Sequence, residues 1–161
     1  MTNALRFVRV FALGAWVGAI IYFAAVVTQG AFAVLPSRDT AGLLVGYTLG
    51  GLHLMGLIAA AVFVVASIAL TKSLKAFVEP AVIGVLLMAV LAIASQNYVI
   101  PRMNVLRSQM VSIQATPGSD PRRAEFDRLH GISVDLELGI LLIGLGSLFL
   151  AARDKRAPAP R

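Results

Sequence analysis

Long stretches without charged side chains divide this chain into apolar blocks. No Asp, Glu, Lys or Arg occurs in segments 10–37, 40–71 and 80–101, which contain 28, 32 and 22 residues. An α-helix needs about 20 apolar residues to cross hydrocarbon about 30 Å thick. The pattern therefore predicts three membrane-spanning helices.

The fourth apolar block is shorter than the others. Its 15 residues run from Leu138 to Ala152, and a helix of that length extends only about 22 Å. To cross the membrane, this helix must include Glu137, Asp135 and His130. Ionisable groups inside a membrane helix are costly, and they usually face the protein interior and mark a functional site. The fourth helix therefore carries the first candidates for function.

Turn-forming residues separate the blocks. Segment 36–39 is typical of a turn, with Asp39 or Thr40 as the N-cap of the second helix. Pro101 should kink or end the third helix because proline lacks a backbone N–H. Segment 116–121 contains two prolines, a glycine and an aspartate, and it predicts the clearest loop in the chain.

These boundaries predict a single polytopic membrane domain over residues 1–161, with helices at about 8–35, 41–71, 79–113 and 121–153. Short connections make successive helices antiparallel, so the expected fold class is an all-α, left-handed antiparallel four-helix bundle. The third and fourth helices should extend beyond the bilayer as a hairpin with its tip near Gly118. The tail at 154–161 is expected to be disordered.

Composition agrees with an integral membrane protein. Of 161 residues, 58% are hydrophobic and 14% are charged, and the mean hydropathy is +0.85. A net charge of +6 is compatible with nucleic-acid binding. The basic residues, however, lie at the ends of apolar blocks, where they anchor in lipid headgroups. We therefore expect the lipid bilayer, and no nucleic acid, as the partner. The absence of cysteine excludes disulfides and thiolate sites.

The first block shares two features with a signal peptide: Arg6 and Arg9 precede it, and segment 31–33 is similar to a cleavage site. Its apolar stretch is much longer than the ~7–15 residues of a signal h-region, so we predict a retained helix. With the N-terminus inside, eight Lys and Arg residues lie on the inner side and six on the outer side. This bias predicts a bacterial inner-membrane protein with both termini in the cytoplasm.

In this topology the costly polar groups fall into one layer, in the outer half of the membrane. His53 lies in the outer half of the second helix, and Asn97 lies near the outer end of the third. His130, Ser133 and Glu137 share one face of the fourth helix, because an α-helix turns about 100° per residue. These five residues are the candidates for binding a ligand or an ion. A second group of candidates comprises Gln29, Gln96, Arg102 and Asp135.

Glycines flank two of these candidates. His53 shares a helix face with Gly46, Gly50 and Gly56, so a neighbouring backbone or a flat ligand could approach the imidazole. Asp135 shares a different face with Gly131, Gly139 and Gly146, which could let another helix approach and cover the carboxylate. A structural interpretation stands beside the functional one, because Asn and Gln often hydrogen-bond between membrane helices, for about 0.6 kcal/mol each. We expect Trp16 to be a packing or interfacial residue.

Four short motifs occur in order along nearly the whole chain: Trp16-Val17-Gly18, Leu35-Pro36 with Ala41-Gly42, Asn97 with Pro101-Arg102, and Phe126-x-x-x-His130-Gly131-Ile132-Ser133. In their order and spacing the chain resembles the transmembrane protein 205-like family, a domain-of-unknown-function family of four-helix membrane proteins. The resemblance implies a four-helix fold but no reaction. It also implies that the family pattern includes Asn97, Pro101, Arg102, His130 and Ser133. This chain departs from the pattern at Glu137, where the family commonly has Asn.

Three functions are compatible with the sequence. In the first, the outer pocket binds or moves a small ligand, an ion or a metal, with His53, His130 and Glu137 as the ligands of any metal. Transport by only four helices would require a homo-oligomer. In the second, His53 and His130 bind haem between the second and fourth helices. In the third, the protein is a non-catalytic subunit whose polar layer fixes helix register and whose 103–128 hairpin binds partners. The sequence requires no cofactor, although haem or a divalent metal would suit these residues, and no motif in it predicts an enzyme.

Overall fold

The computed structural model describes residues 2–153, and most of them form four long helices. These are α1 (Thr2–Val34), α2 (Arg38–Thr71), α3 (Pro80–Ser108) and α4 (Pro121–Ala152). Each is long and apolar enough to cross a membrane, and the described residues contain no strand. The predicted all-α membrane bundle is therefore confirmed, whereas the expected disordered tail lies outside the described residues.

Each helix packs against the next, and α4 packs back against α1, so that α2 and α4 stand diagonally opposite. We call the end of the bundle that carries connections 35–37 and 109–120 the distal end. The proximal end carries Thr2, Arg153 and connection 72–79. The helices contain 29 to 34 residues, which corresponds to about 43–51 Å. All four, including α1 and α2, are therefore longer than the hydrocarbon layer is thick.

Two predicted boundaries are wrong at the distal end. The third helix ends at Ser108 rather than near residue 113, and the chain then turns back over the helix ends. The N-cap of α2 is Ser37, whose Oγ accepts a hydrogen bond from the Thr40 N–H at 3.1 Å, rather than Asp39 or Thr40. Asp39 instead holds the 109–120 connection, because its carboxylate accepts hydrogen bonds from the Ser112 hydroxyl and, at 3.0 Å, from the Ile113 N–H.

Short π-helical segments interrupt α1 at Phe23–Thr28 and α3 at Ser95–Val99. In α3, the Ile100 N–H bonds to the Ser95 carbonyl five residues earlier, directly before Pro101. The wider π turn accommodates a proline that cannot donate to the preceding turn, so α3 continues past Pro101 to Ser108. Segments of this kind occur frequently at functional sites. The segment in α1 lines the cavity described below, and the segment in α3 carries Gln96 of the polar cluster.

The apolar core is built around Trp16, which is 1% exposed and belongs to a cluster contributed by all four helices. Its indole lies directly over Gly56 of α2, where a Cβ atom would come within 2.2 Å of the ring. The packing role expected for Trp16 is confirmed. The same contact closes the glycine face at Gly56, on the proximal side of His53.

Arg9 is buried at the proximal end, although the sequence pattern favoured an anchor in the headgroups. Its guanidinium donates a hydrogen bond to the Glu79 carboxylate at 3.1 Å. It also lies 5.0 Å from the ring centroid of Phe63. This ion pair connects α1 to the start of α3.

Candidate functional site

His53 is the central side chain of a polar cluster inside the bundle, with only 2% of its surface exposed. Its Nε2 forms a short hydrogen bond with Oε1 of Glu137 on α4, and its Nδ1 lies 3.1 Å from Oε1 of Gln96 on α3. The cluster therefore joins three helices through one imidazole ring. The contact with Glu137 crosses the bundle interior between the diagonal helices α2 and α4.

Local backbone features bring the three side chains together. Gly50 lies one turn before His53, and a Cβ atom there would be 3.7 Å from the Gln96 amide, so the glycine leaves space for the amide. Gln96 belongs to the π segment Ser95–Val99, which adds a residue to the turn and shifts the register of the helix. The preceding side chain, Ser95, is fully buried.

The cluster is compatible with two protonation states at nearly unchanged heavy-atom positions. When both partners of His53 accept hydrogen bonds, the ring presents two N–H donors, and a positive imidazolium faces the Glu137 carboxylate. When the Gln96 amide turns by 180°, its NH₂ donates to Nδ1, and a neutral imidazole suffices. Rotation of one amide group therefore lets the cluster satisfy the hydrogen bonds of either form of the imidazole.

A cavity of about 730 Å³ lies on the distal side of this cluster, between all four helices. Glu137 contributes to its inner end, and apolar side chains form much of its wall, among them Ile20, Phe23, Leu49 and Leu141. Charged residues form its distal rim: Arg38, Asp39, Arg107, Arg123 and Asp127. The cavity thus runs from a charged rim through an apolar middle to a carboxylate.

The rim is held by contacts with the 109–120 connection. Arg123 pairs with Asp127 at 2.8 Å and donates a hydrogen bond to the Ile113 carbonyl. Arg107 lies with its guanidinium carbon 5.6 Å from the ring centroid of Phe126. Its Nε is buried and has no hydrogen-bond partner within residues 2–153.

Among the five main candidates, the structure joins His53 directly to Glu137. Ser133 is buried and His130 is exposed, and both line the cavity on the distal side of Glu137. The expectation that Asn97 faces His53 is wrong, because its amide is exposed and donates to the Ile93 carbonyl of its own helix at 3.0 Å. The amide that faces His53 is that of Gln96, which belongs to the second group of candidates.

The remaining members of the second group stay outside the cluster. Gln29, Arg102 and Asp135 are all exposed. A Cβ atom at Gly131 or Gly146 would meet no atom within 4 Å, so no helix within residues 2–153 covers that part of the glycine face beside Asp135. Gly14 and Gly18 of α1 are equally open.

Sequence reasoning missed the rim residues Asp39 and Arg107. The available signal was their position at opposite ends of neighbouring antiparallel helices, which brings the end of α3 beside the start of α2. The predicted third helix extended to about residue 113, whereas in the structure Arg107 and Ile113 lie in a wall of the cavity.

The geometry does not favour the metal or haem interpretations. Within residues 2–153, no three His, Asp or Glu side chains come together as a metal site requires. Both ring nitrogens of His53 are engaged by Gln96 and Glu137, so neither is available to haem iron. The indole of Trp16 fills the space over Gly56.

Comparison with known proteins places this chain in a family. A family model described as a domain of unknown function (DUF4149) matches residues 11–112, and the chain belongs to that family. The match includes α2 and α3, with His53 and Gln96, but ends before α4 and Glu137. No curated protein and no solved structure gives a significant match.

Proposed function

We propose that this member of the DUF4149 family binds an amphiphilic small molecule, which enters the cavity from the distal end. The apolar part of the molecule lies against the wall formed by Phe23, Leu49 and Leu141. A hydrogen-bond donor at its inner end contacts Glu137, which His53 holds in place through a hydrogen bond. The proposal narrows the broader expectation of an ion, metal or ligand site.

The observation that carries this proposal is the continuity of the cavity from the charged rim to Glu137. Small-molecule sites are typically concave spaces of about 300–1,000 Å³ with mostly apolar walls and a few polar groups. A volume of about 730 Å³ with one carboxylate at the inner end fits that description. A residue with purely structural hydrogen bonds would not need to border so large a space.

We also propose that the distal end faces outward and both termini face the cytoplasm, in a bacterial inner membrane. The slight excess of Lys and Arg on the proximal side supports this orientation. A fluorescent reporter that matures only in the cytoplasm, fused to the C-terminus, should be bright. A dark but stable fusion would reverse the orientation.

From its four motifs, we further propose that the chain is related to the transmembrane protein 205-like proteins.

Filling the cavity tests the proposed binding function. Gly46 lines the cavity, and a Cβ atom there would meet no atom within 4 Å, so Gly46→Leu adds bulk to the cavity without a backbone clash. Gly51, on the same helix, is exposed and equally open, and Gly51→Leu is the matched control.

Native mass spectrometry of the detergent-solubilised protein can report the bound molecules. The probes are four amphiphiles with the same twelve-carbon chain: dodecanoate, dodecyl phosphate, dodecanol and dodecyltrimethylammonium. At least one should remain bound to the wild type and to Gly51→Leu, and it should be lost from Gly46→Leu. If none binds, or if Gly46→Leu binds as the wild type does, the cluster is a structural network and the proposal fails.

A further inference from the structure

We infer that the distal rim is a binding site for an anionic headgroup, a carboxylate or a phosphate, and that Arg107 is its principal contact. The inference rests on the proposed function, since it names the chemical class of the amphiphile. Arg107 would be the second polar contact of the ligand, at the opposite end of the cavity from Glu137.

Arg107 is a charged side chain whose hydrogen bonds are incomplete. Its Nε is buried without a partner in the described part of the chain, and the whole side chain is only half-buried. A buried donor on a charged group is costly to leave unpaired. An anion in the cavity would supply an acceptor for the guanidinium.

The guanidinium is also held in place by two contacts. It lies over the ring of Phe126 at 5.6 Å. A Cβ atom at Gly42 would lie 3.4 Å from one of its terminal nitrogens, so the glycine allows the group to rest against α2. A planar guanidinium fixed in this way suits two parallel hydrogen bonds to a carboxylate or phosphate.

The charged groups around the rim carry a net positive charge. Three arginines and two aspartates line it, which leaves one positive charge in excess. Asp39 is the acidic neighbour of Arg107, but its two oxygens accept hydrogen bonds from Ser112 and Ile113. Asp127 pairs with Arg123. Glu137, the acidic residue at the inner end, lies at the opposite end of the cavity from the rim and is hydrogen-bonded to His53.

The position of Arg107 explains why the anion should carry an apolar chain. The guanidinium and the apolar side chains of Phe23, Leu49 and Leu141 line one continuous cavity. A headgroup at the rim therefore directs its chain into the apolar middle, where burial of each CH₂ group contributes to binding. A free inorganic anion would gain only the contact with the arginine.

The same four twelve-carbon amphiphiles, together with inorganic phosphate alone, test this inference. The wild type should bind dodecanoate or dodecyl phosphate at least about tenfold more tightly than dodecanol or dodecyltrimethylammonium, because only the anions pair with the guanidinium. Phosphate alone should bind at least about a hundredfold more weakly than dodecyl phosphate, since it buries no chain. If phosphate alone bound as tightly as dodecyl phosphate, the inference of an amphiphilic ligand would be wrong and the site would bind a free anion.

The variant Arg107→Gln should remove the preference for the anions over dodecanol, and a folded variant that keeps this preference would overturn the role of Arg107. Its control is Arg128→Gln, because Arg128 is an exposed arginine that pairs with Glu125 and does not line the cavity. Equal binding of dodecanol and the anions by the wild type would overturn the inference while the proposed function stands. The failure of all four amphiphiles to bind would defeat the proposed function itself. Even if Arg107→Gln folds poorly, the wild-type preference decides whether the rim binds anions.

Discussion

His53 and Glu137 form a hydrogen bond across the interior of the bundle, between two helices that are not neighbours around its circumference. The remaining ring nitrogen of His53 is bonded to Gln96, so each member of the cluster limits the position of the others. A buried pair of this kind contributes little relative to a well-packed apolar pair, but it is costly to break from one side.

Removal of the Glu137 carboxylate should therefore destabilise the protein. We expect Glu137→Ala to lower the free energy of unfolding by about 3 kcal/mol, because it leaves the buried imidazole with one partner. Glu137→Gln keeps the shape and an acceptor, and it should lower the free energy by only about 1 kcal/mol. Unfolding in detergent, followed by circular dichroism, measures both values. A double-mutant cycle with His53→Ala provides the control, since strictly additive effects would show that the two residues do not interact.

Gln96 and Asn97 offer a comparison between adjacent amides. Gln96→Leu removes a partner of His53 and should destabilise the protein by about 1 kcal/mol. Asn97 donates only to a carbonyl of its own helix, so Asn97→Leu should leave stability unchanged or raise it slightly in an apolar environment. The same unfolding measurement compares them. A larger loss for Asn97→Leu than for Gln96→Leu would contradict the observed cluster.

The same two residues show how far sequence could predict this structure. Charge-free stretches indicated the four helices, because the membrane imposes a minimum apolar length. Depth along those helices also brought His53 and Glu137 into one layer. Which neighbouring amide meets His53 could not be deduced, because the π segment at Ser95–Val99 shifts the register that a regular helix would have.

The cavity could be predicted only in part from the sequence, for a different physical reason. A polar outer pocket with His130, Ser133 and Glu137 followed from helical periodicity, but its rim depends on where α3 ends. That end is set by tertiary hydrogen bonds from Ser112 and Ile113 to Asp39, more than 70 residues away in the chain. Local sequence patterns carry no information on such contacts.

The N-cap of α4 should make stability depend on pH in acid. Hydrogen bonds from the Arg122 side chain and backbone lower the pKa of the Asp120 carboxyl from 3.8 to about 2. Above about pH 4 the Asp120 carboxyl is mostly ionised in both the folded and the unfolded protein, and its full contribution to stability is present. Between the unfolded pKa of 3.8 and the folded pKa of about 2, the unfolded protein binds more protons than the folded protein, so stability falls as the pH falls. The contribution of Asp120 to stability is lost below about pH 2.

Thermal unfolding of wild type and Asp120→Asn as a function of pH measures this contribution. Asparagine also caps helices well but carries no charge, so the wild type should be the more stable protein at neutral pH. The difference in melting temperature between the wild type and Asp120→Asn should narrow as the pH falls from 4 toward 2. A difference that stays constant over this range would show that the carboxylate charge contributes nothing.

At the proximal end, the ion pair between Arg9 and Glu79 predicts a strong dependence on both partners. Their side chains are 8% and 30% exposed, so the pair is largely removed from solvent. Arg9→Ala should lower the free energy of unfolding by about 2–3 kcal/mol, because it leaves the carboxylate without its cation and removes the packing against Phe63. Arg9→Lys should recover only part of the loss, since an ammonium does not stack on the ring as a guanidinium does.

The double variant Arg9→Met with Glu79→Gln decides whether charge or packing dominates at this position. Both replacements keep much of the side-chain volume and leave no unpaired charge, so the double variant should be more stable than either single variant. The exposed pair of Arg128 with Glu125 is the control, and Arg128→Ala should change stability little because solvent screens that pair. If Arg9→Ala were as mild as Arg128→Ala, the buried pair would not connect α1 to α3 in the way that its geometry indicates.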